Sequence, residues 1–512
     1  MTFQPHVLTD EPKWSSAALC ITLDHLGRTF RPEYTHQLVG DECWRGHQPL
    51  ESILREANAD FNKNASSTPS PFGSVLHKSH KDHHEATSQL EIRVTLSPSC
   101  QNCRVNIIRS ESKSGSEDHP DAKRRRTDSG PGSSTVESTI GSNDGGPMPS
   151  SFSMQPMKDS EIMDALCKAL PPMTLQDGSV TQVEDSFLSE PIGDVLEEFS
   201  IPVKKLNGDN DKSISKNFVI TIANGRSANV SQYHKSVQNL SLFYIENADT
   251  VDVANDNDGG FWKIMYIFQK HDGDEDENGK KQYQYSLVGF FTLFHFISLF
   301  RKPDPGIIVR VCQALILPPF QGQGHGRRLL QNVYKLAQQK QCTIDGNTQH
   351  GIVQVNVEDP APAFVALRNK LDFEYVLEHH TEWKWPEKGS IWGSDSLAPS
   401  ESLSVFFAAL TEKEASEISN KAKIVPKQIQ IANELLKLKA IQDAIAQHRD
   451  RIKNTDKDAI ERLFRLMVKR RLNKEHREEL LEEPSKEAQK ALLAKLFDKE
   501  LLGYNRILSK IR

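Results

Sequence analysis

The sequence has no apolar run of membrane-spanning length. Its longest, Tyr285 to Phe300, is 16 residues broken by His295 and two serines. A spanning helix needs roughly 20. The Phe and β-branched content of this run predicts a buried strand instead. The opening residues, MTFQPHVLTDEPKW, lack a basic start followed by an apolar core, so no secretory signal is expected. Cysteine is scarce, with seven in 512 residues. That excludes a small disulfide-stapled scaffold and fits the reduced thiols of cytosol or nucleus. Aromatic residues are missing from 110–151, where Val136, Ile140 and Met148 are the only large aliphatics. Such a segment cannot offset its ordering entropy and is expected to be disordered. Within it, Lys123-Arg124-Arg125-Arg126 reads as a short nuclear import signal or as a solvated charge run.

What is present is enough for a sizeable core. Hydrophobic residues make up 37% and charged residues 26%, over a length with room for about two to four domains. The net charge of −6 is unevenly spread. Residues 421–512 hold 23 Lys and Arg against 14 Asp and Glu, a local +9, which leaves −15 on 1–420. An acidic body suits a basic protein partner better than naked nucleic acid.

From Phe218 the β signals strengthen. FVITIA, SLFYI, FWKIMYIF (261–268) and YSLVGFFTLFHF (285–296) read as strands, the last two joined by a hairpin loop over His271 to Lys281. A strand over Ile307 to Leu317 leads into Pro318-Pro319-Phe320 and a Gly-rich turn. Next comes a helix with Leu329, Leu330, Val333, Leu336 and Ala337 at helical spacing. A strand over Ile352–Val357 and a short helix after Pro362 follow. Upstream, a helical pattern spans Ile162–Leu170. From about 411 the chain reads as helical. Thr411 and Glu414 form a capping box, and Ile431, Leu435, Leu438, Ile441 and Ile445 form a stripe. Ile460, Leu463, Phe464 and Met467 form another.

Metal patterns are weak, and no metal is expected. Asp272, Asp274 and Asp276 alternate as in half a calcium loop, but Glu277 stands where glycine is required and position twelve lacks its glutamate. Cys100 and Cys103 form a lone CxxC downstream of His77, His80, His83 and His84, without a repeated pair. Cys312 and Cys342 lie near the Gly-rich turn but have no adjacent base in sequence to activate them.

The turn itself, Gln321-Gly322-Gln323-Gly324-His325-Gly326, carries the functional signal. Three glycines in five residues let the backbone approach a ligand closely. Their amides and the following helix N-terminus make an anion cradle suited to a pyrophosphate. A P-loop would end in Gly-Lys-Ser/Thr, and here Gly326-Arg327-Arg328 follows. A dinucleotide fingerprint needs a different glycine spacing. The spacing Gln321-x-x-Gly324-x-Gly326 instead resembles the acetyl-CoA motif of the GCN5-related N-acetyltransferase superfamily. The longer run from Gln313 to Gly326 resembles type B histone acetyltransferase catalytic subunits. So do Val357-Glu358-Asp359-Pro360 and the distant Pro32 to Glu42. The resemblance covers roughly 18–50 and 160–480, with 110–151 as an insertion.

That resemblance implies an α+β chain with the GCN5-related N-acetyltransferase fold: a mixed, largely antiparallel sheet, an N-terminal α/β domain and a C-terminal helical region. The expected divisions are 1–109 and 152–215 for the N-terminal domain, 110–151 for the insertion, 216–383 for the catalytic core and 384–512 for the helices. It also implies that acetyl-CoA is the co-substrate. Backbone groups of Ala314, Leu315 and Ile316 would hold its pantetheine arm. Gln321, Gly322, Gln323, Gly324, His325, Gly326 and Arg327 would hold the pyrophosphate. Ala361 stands where relatives often carry a polar contact, and Lys370 could meet cofactor phosphate.

The acceptor lysine has an ordinary pKa near 10.4, so almost none is nucleophilic at neutral pH. A carboxylate within reach solves this. Glu358 is the candidate base, with Asp359 able to share the role. On residues alone, Glu358-Asp359-Pro360 is equally a strand-to-helix turn. The resemblance further implies that Gly40, Asp41 and Glu42, with Phe294, His295 and Phe296, contact a histone tail. Phe294 and Phe296 are otherwise alternate strand positions facing one core.

The implied function is transfer of acetyl to lysines in the tail of newly made core histone four before chromatin assembly. A WD-repeat histone chaperone is the implied partner, and nucleus and cytoplasm the location. The competing readings are a related N-acetyltransferase with another amine substrate, and a non-catalytic histone-binding scaffold.

Overall fold

The computed structural model describes residues 19–30, 89–110, 186–203, 214–245, 248–255, 259–275, 279, 281–298, 300, 305–339, 342–344, 348–386, 391–392, 398, 400–448 and 451–511. The predicted helix at 162–170, Gly40 to Glu42, the 111–151 part of the insertion and its basic cluster lie outside these. Among the described residues no helix is long and apolar enough to cross a membrane.

Strands β1 (Leu19–Leu23), β2 (Arg28–Phe30), β3 (Gln89–Leu96) and β4 (Cys103–Ser110) form a four-stranded sheet in the order β2-β1-β3-β4. The Cys100/Cys103 pair sits at the β3–β4 turn, neither in a disulfide and both fully buried.

The central sheet is six-stranded. It uses β5 (Asp194–Val203), β6 (Ile214–Asn224), β7 (Gly260–Glu275), β8 (Lys281–Ser298), β9 (Gly306–Ile316) and, beyond a small β10–β11 ribbon (Cys342–Ile344, Thr348–His350), β12 (Ile352–Val357). The order is β12-β9-β8-β7-β6-β5, and every pairing is antiparallel except β12 with β9. The chain is therefore mixed α and β with a largely antiparallel sheet, as expected. The sheet also takes in β5, from the segment ahead of residue 216. The apolar Tyr285–Phe296 run is a strand, buried from Tyr285 to His295. A strand covered on both faces reads as a continuous hydrophobic run.

Helices α1 (Ala228–Val237) and α2 (Leu240–Tyr244) join β6 to β7. Here the structure corrects the sequence reading, because SLFYI is helical. Leu240, Ser241, Leu242 and Phe243 are all buried, and a short apolar run buried all round carries no period to separate helix from strand. Helix α3 (His325–Gln338) bridges β9 to the ribbon and buries Leu329, Leu330, Val333 and Ala337. Helix α4 (Pro362–His379) starts on proline as predicted but is 18 residues long rather than short. The two helices are locked together by the buried Tyr334 hydroxyl donating to Asp372, with Arg368 beside that carboxylate. Burial first pushes the Asp372 carboxyl up, to about 6, against the opposing pull of Arg368.

The remaining helices are α5 (Ser400–Phe406), α6 (Glu412–Ala422), α7 (Pro426–Gln447), α8 (Asn454–Glu475), α9 (Arg477–Glu482) and α10 (Lys486–Leu508). The Thr411–Glu414 capping box is formed in both directions. Both predicted stripes meet in a second hydrophobic core, with Ile431, Leu435, Leu438 and Ile441 packed with Ile460, Phe464 and Met467.

Candidate active site

The site is built where β9 outruns its neighbour. Parallel pairing of β12 with β9 runs to Val357 opposite Val311, closed by the Glu358 amide donating to the Val311 carbonyl at 3.0 Å. Beyond this point β9 continues through Ile316 with β8 on one side only. Between Leu293 opposite Val311 and Thr292 opposite Gln313, Cys312 is the extra residue of a bulge. A bulge bends its strand and re-aims side chains.

The unpaired edge has a defined polarity. The Gln313 amide donates to Thr292 Oγ1 at 2.9 Å and the Leu317 amide to the Val288 carbonyl at 2.9 Å, both on the β8 side. By strand alternation the amides of Ala314 and Ile316 face away from β8, into a cleft of about 660 Å³. Leu315 directs its hydrogen-bonding groups to β8 and its buried side chain to the core.

The Gly-rich turn forms one wall of this cleft. Gly322 and Gly324 take φ of 74° and 87°, the left-handed region that favours glycine. Gly324 is the N-cap of α3 and provides no side-chain cap. The first intrahelical bond at this end is Arg328 N–H to the Gly324 carbonyl. The amides of His325, Gly326 and Arg327 are therefore among the helix N-terminal donors with no intrahelical acceptor. Helix α4 repeats the arrangement from the opposite side. Its N-cap is Ala361, and the first intrahelical bond, Val365 N–H to the Ala361 carbonyl, leaves the Ala363 and Phe364 amides over. Two helix N-termini thus border one cleft, and their dipoles favour an anion there.

The glutamines brace the turn. Gln321 Nε2 donates to the Ile316 carbonyl and Gln323 Nε2 to the Pro319 carbonyl, both at 2.9 Å. The first of these ties the turn to the free end of β9. Gln323 stands outside the cleft wall. The His325 ring turns into the core, 4.6 Å from the Phe218 ring. Burial, with Arg328 adding to it, pushes its pKa down to about 4, so only its main chain is placed to meet a ligand. Arg327 and Lys370 line the mouth, and both are tied to Glu374, at 2.9 and 3.8 Å.

A Cβ at Gly324 would meet nothing within 4 Å, whereas one at Gly326 would touch Leu367 and Ile316 in the cleft wall. The two glycines therefore predict different outcomes. Gly324→Ala should lower unfolding free energy in urea by about 1–2 kcal/mol, the cost of a left-handed non-glycine residue. Gly326→Ala should leave stability close to wild type and weaken binding of an anionic ligand at the turn in titration calorimetry.

The lining of the cleft also includes Glu358, Asp359 and Cys312. Asp359 has φ of 29° at the turn from β12 towards α4, and Asp is among the few residues that tolerate positive φ. The Glu358 carboxylate accepts from Arg310 Nη1 at 3.4 Å, both side chains partly exposed. The Cys312 thiol donates to the Arg310 carbonyl at 3.7 Å. Burial first, and then the nearby Glu358 carboxylate, push its pKa up to about 12. It stays protonated and is no nucleophile.

Phe294 and Phe296 form an aromatic strip leading to Glu358. Trp262 packs on Phe294 at 4.8 Å, Phe294 on Phe296 at 4.4 Å, and the Arg310 guanidinium lies 4.5 Å over the Phe296 ring. His295 belongs to the other face. It stacks on Phe261 at 4.9 Å, its Nδ1 donates to the Leu293 carbonyl, and burial followed by Lys263 pushes its pKa down to about 3. Its expected substrate contact is therefore corrected to a core position, because successive strand residues point to opposite faces. Sequence reasoning also missed Arg310 and Lys510. The alternation Arg310, Cys312 along β9 could have found the first. Nothing local marks the second, which reaches the cleft from the far end of the chain.

No family model matches the chain. Its curated relatives are named histone acetyltransferase type B catalytic subunit, which bears out the resemblance read from the motifs. One from Dictyostelium discoideum is 30% identical over 222 residues, covering 43% of this chain and 40% of that protein. One from Kluyveromyces lactis is 28% identical over 193 residues, 36% of this chain and 43% of that one. The human protein is 28% identical over 180 residues, 35% and 36% respectively. The matched stretch spans less than half the length of each of these relatives.

Proposed function

We propose that the chain is the catalytic subunit of a type B histone acetyltransferase, with a GCN5-related N-acetyltransferase fold, acting on lysines of the core histone four tail before chromatin assembly. One observation carries the reading: the free edge of β9 opens a cleft between two helix N-termini that ends at Glu358. Ala314 and Ile316 main-chain groups suit the amide-bearing pantetheine arm, which would lie as an extra strand. The turn from Gly322 to Arg327 suits the pyrophosphate, and the cations at the mouth suit further negative charge.

Acetyl-CoA supplies an acetyl group activated as a thioester: the neutral lysine nitrogen bonds to the acetyl carbon as the C–S bond breaks, and coenzyme A leaves as the thiol, taking up the proton that the nitrogen sheds. Glu358 takes a proton from the acceptor ammonium, directly or through one water. The ammonium displaces Arg310 from Glu358 as it enters, since both offer positive charge to one carboxylate. The strip of Trp262, Phe294 and Phe296 provides an apolar floor for the lysine stem and the flanking backbone. Asp359 adds negative charge at the same end. Gly40, Asp41 and Glu42 are proposed to complete the tail site. A WD-repeat histone chaperone is the proposed partner, with nucleus and cytoplasm as the location.

The test is radiolabelled acetyl transfer from acetyl-CoA to a histone four tail peptide. Absence of transfer to any histone would overturn the reading. Phe296→Ala should raise KM for the peptide about three- to tenfold, with the KM for acetyl-CoA unchanged. Equal peptide KM values in mutant and wild type would remove the aromatic strip from the tail site.

A further inference from the structure

The cleft mouth is short of positive charge unless the C-terminal helix contributes. Arg327 and Lys370 both face it, but they share the single carboxylate of Glu374. Together the three carry a net charge of only +1. Acetyl-CoA carries a pyrophosphate and a separate ribose phosphate. The two helix N-termini lie by the glycines and Ala361, and the pyrophosphate already occupies them in the reading above. The ribose phosphate is left to the mouth.

Lys510 lines that mouth. Unlike the other two cations, it has no carboxylate partner among the described residues. Its placement is built rather than incidental. Ile507 and Leu508, in the last turn of α10, are buried in the second hydrophobic core, and Ile511 packs against it. The Lys510 amide donates to the Ile507 carbonyl and the Ile511 amide to the Leu508 carbonyl. The backbone at 510 is therefore held on both sides while its side chain points to the cleft.

We propose that Lys510 is a cofactor-binding residue that recognises the ribose 3′-phosphate of coenzyme A, so that the C-terminal helices complete the cofactor site. This rests on the acetyl-CoA reading and extends it. The basic C-terminal region then serves the cleft, whatever else it binds. A flexible ammonium is suited to a phosphate approached from solvent, where a point charge serves as well as a fork.

The experiment measures binding of acetyl-CoA and of 3′-dephospho-acetyl-CoA to the full chain by titration calorimetry. Wild type should prefer acetyl-CoA. Lys510→Ala should weaken acetyl-CoA about three- to fivefold, the scale of one exposed ion pair, and Lys510→Arg should retain it. Lys510→Glu should weaken it about tenfold or more at low salt, less at high salt. None of the three should change affinity for the dephospho analogue. If Lys510→Ala weakens both ligands equally, or neither, the phosphate assignment is wrong while the acetyl-CoA reading stands. If wild type binds neither ligand, both fall together.

Discussion

On the proposed function, Glu358→Gln should lower kcat for histone-peptide acetylation about 10²–10⁴-fold, the usual contribution of a positioned general base, with acetyl-CoA affinity unchanged. Glutamine keeps the shape and the acceptor oxygen but cannot take a proton. The proposed cofactor elements are elsewhere: the edge of β9, the turn at Gly322–Gly326 and the mouth cations. The loss should therefore appear in kcat and not in calorimetric binding. The neighbours sharpen the test. Cys312 is a poor substitute, because burial, the first cause of its raised pKa, persists in the variant. Asp359 is adjacent in sequence, but its φ of 29° turns the chain between the two residues. Asp359→Asn should therefore cost much less than Glu358→Gln. Full activity in Glu358→Gln would remove Glu358 from the chemistry.

The Gly-rich turn was the most legible part of this site, for a physical reason. Left-handed backbone at Gly322 and Gly324 and a side-chain-free N-cap leave few residue types able to serve, so the local sequence reports the local geometry. Gln321 is legible for the same reason, since its side chain must reach back to the Ile316 carbonyl. Strand β12 matched its expected limits because Ile352 to Val357 is bounded by glycine and a Glu-Asp-Pro turn. Other features depended on distant partners. SLFYI became helix in a setting that buries Ser241, Leu242 and Phe243 alike, leaving no period to read. His295 went to the core because Phe261 from the neighbouring strand was there to stack on it. The four-stranded sheet is assembled from two separated segments, 19–30 and 89–110. Its β1–β3 pairing leaves no mark within either one. Lys510 is the extreme case, a residue placed at the cleft by a helix whose own sequence says nothing of the cleft.

Arg471→Met should destabilise the C-terminal helices by about 3–5 kcal/mol, the cost of leaving a buried charge without its partner. Arg471 on α8 donates through Nε and Nη2 to both carboxylate oxygens of Glu434 on α7, at 2.9 and 3.0 Å. It also reaches Glu475, and Glu500 and Tyr504 on α10. Tyr504 donates to Glu434 at 2.6 Å. Three helices are thus joined at one guanidinium, with the side chains of Arg471 and Glu434 only 11% and 4% exposed. Burial already pushes the Glu434 carboxyl up, and Arg471 is the main opposing influence. Removing it raises that pKa further. A carboxyl with a raised folded pKa stabilises below its unfolded value and loses that contribution as pH rises through the folded one. The deficit of Arg471→Met should therefore be small near pH 4, about the unfolded carboxyl value, and grow towards pH 7. Urea denaturation at both pH values, read on the C-terminal helices by hydrogen exchange, measures it. Adding Glu434→Gln should recover much of the loss at pH 7, since the stranded charge is gone. An equal deficit at both pH values, unrelieved by Glu434→Gln, would mean that Arg471 acts through packing of its stem and not through Glu434. The same helices carry Lys510, so if Lys510 holds cofactor phosphate as proposed, Arg471→Met should also weaken acetyl-CoA binding, and Glu434→Gln should restore both properties together.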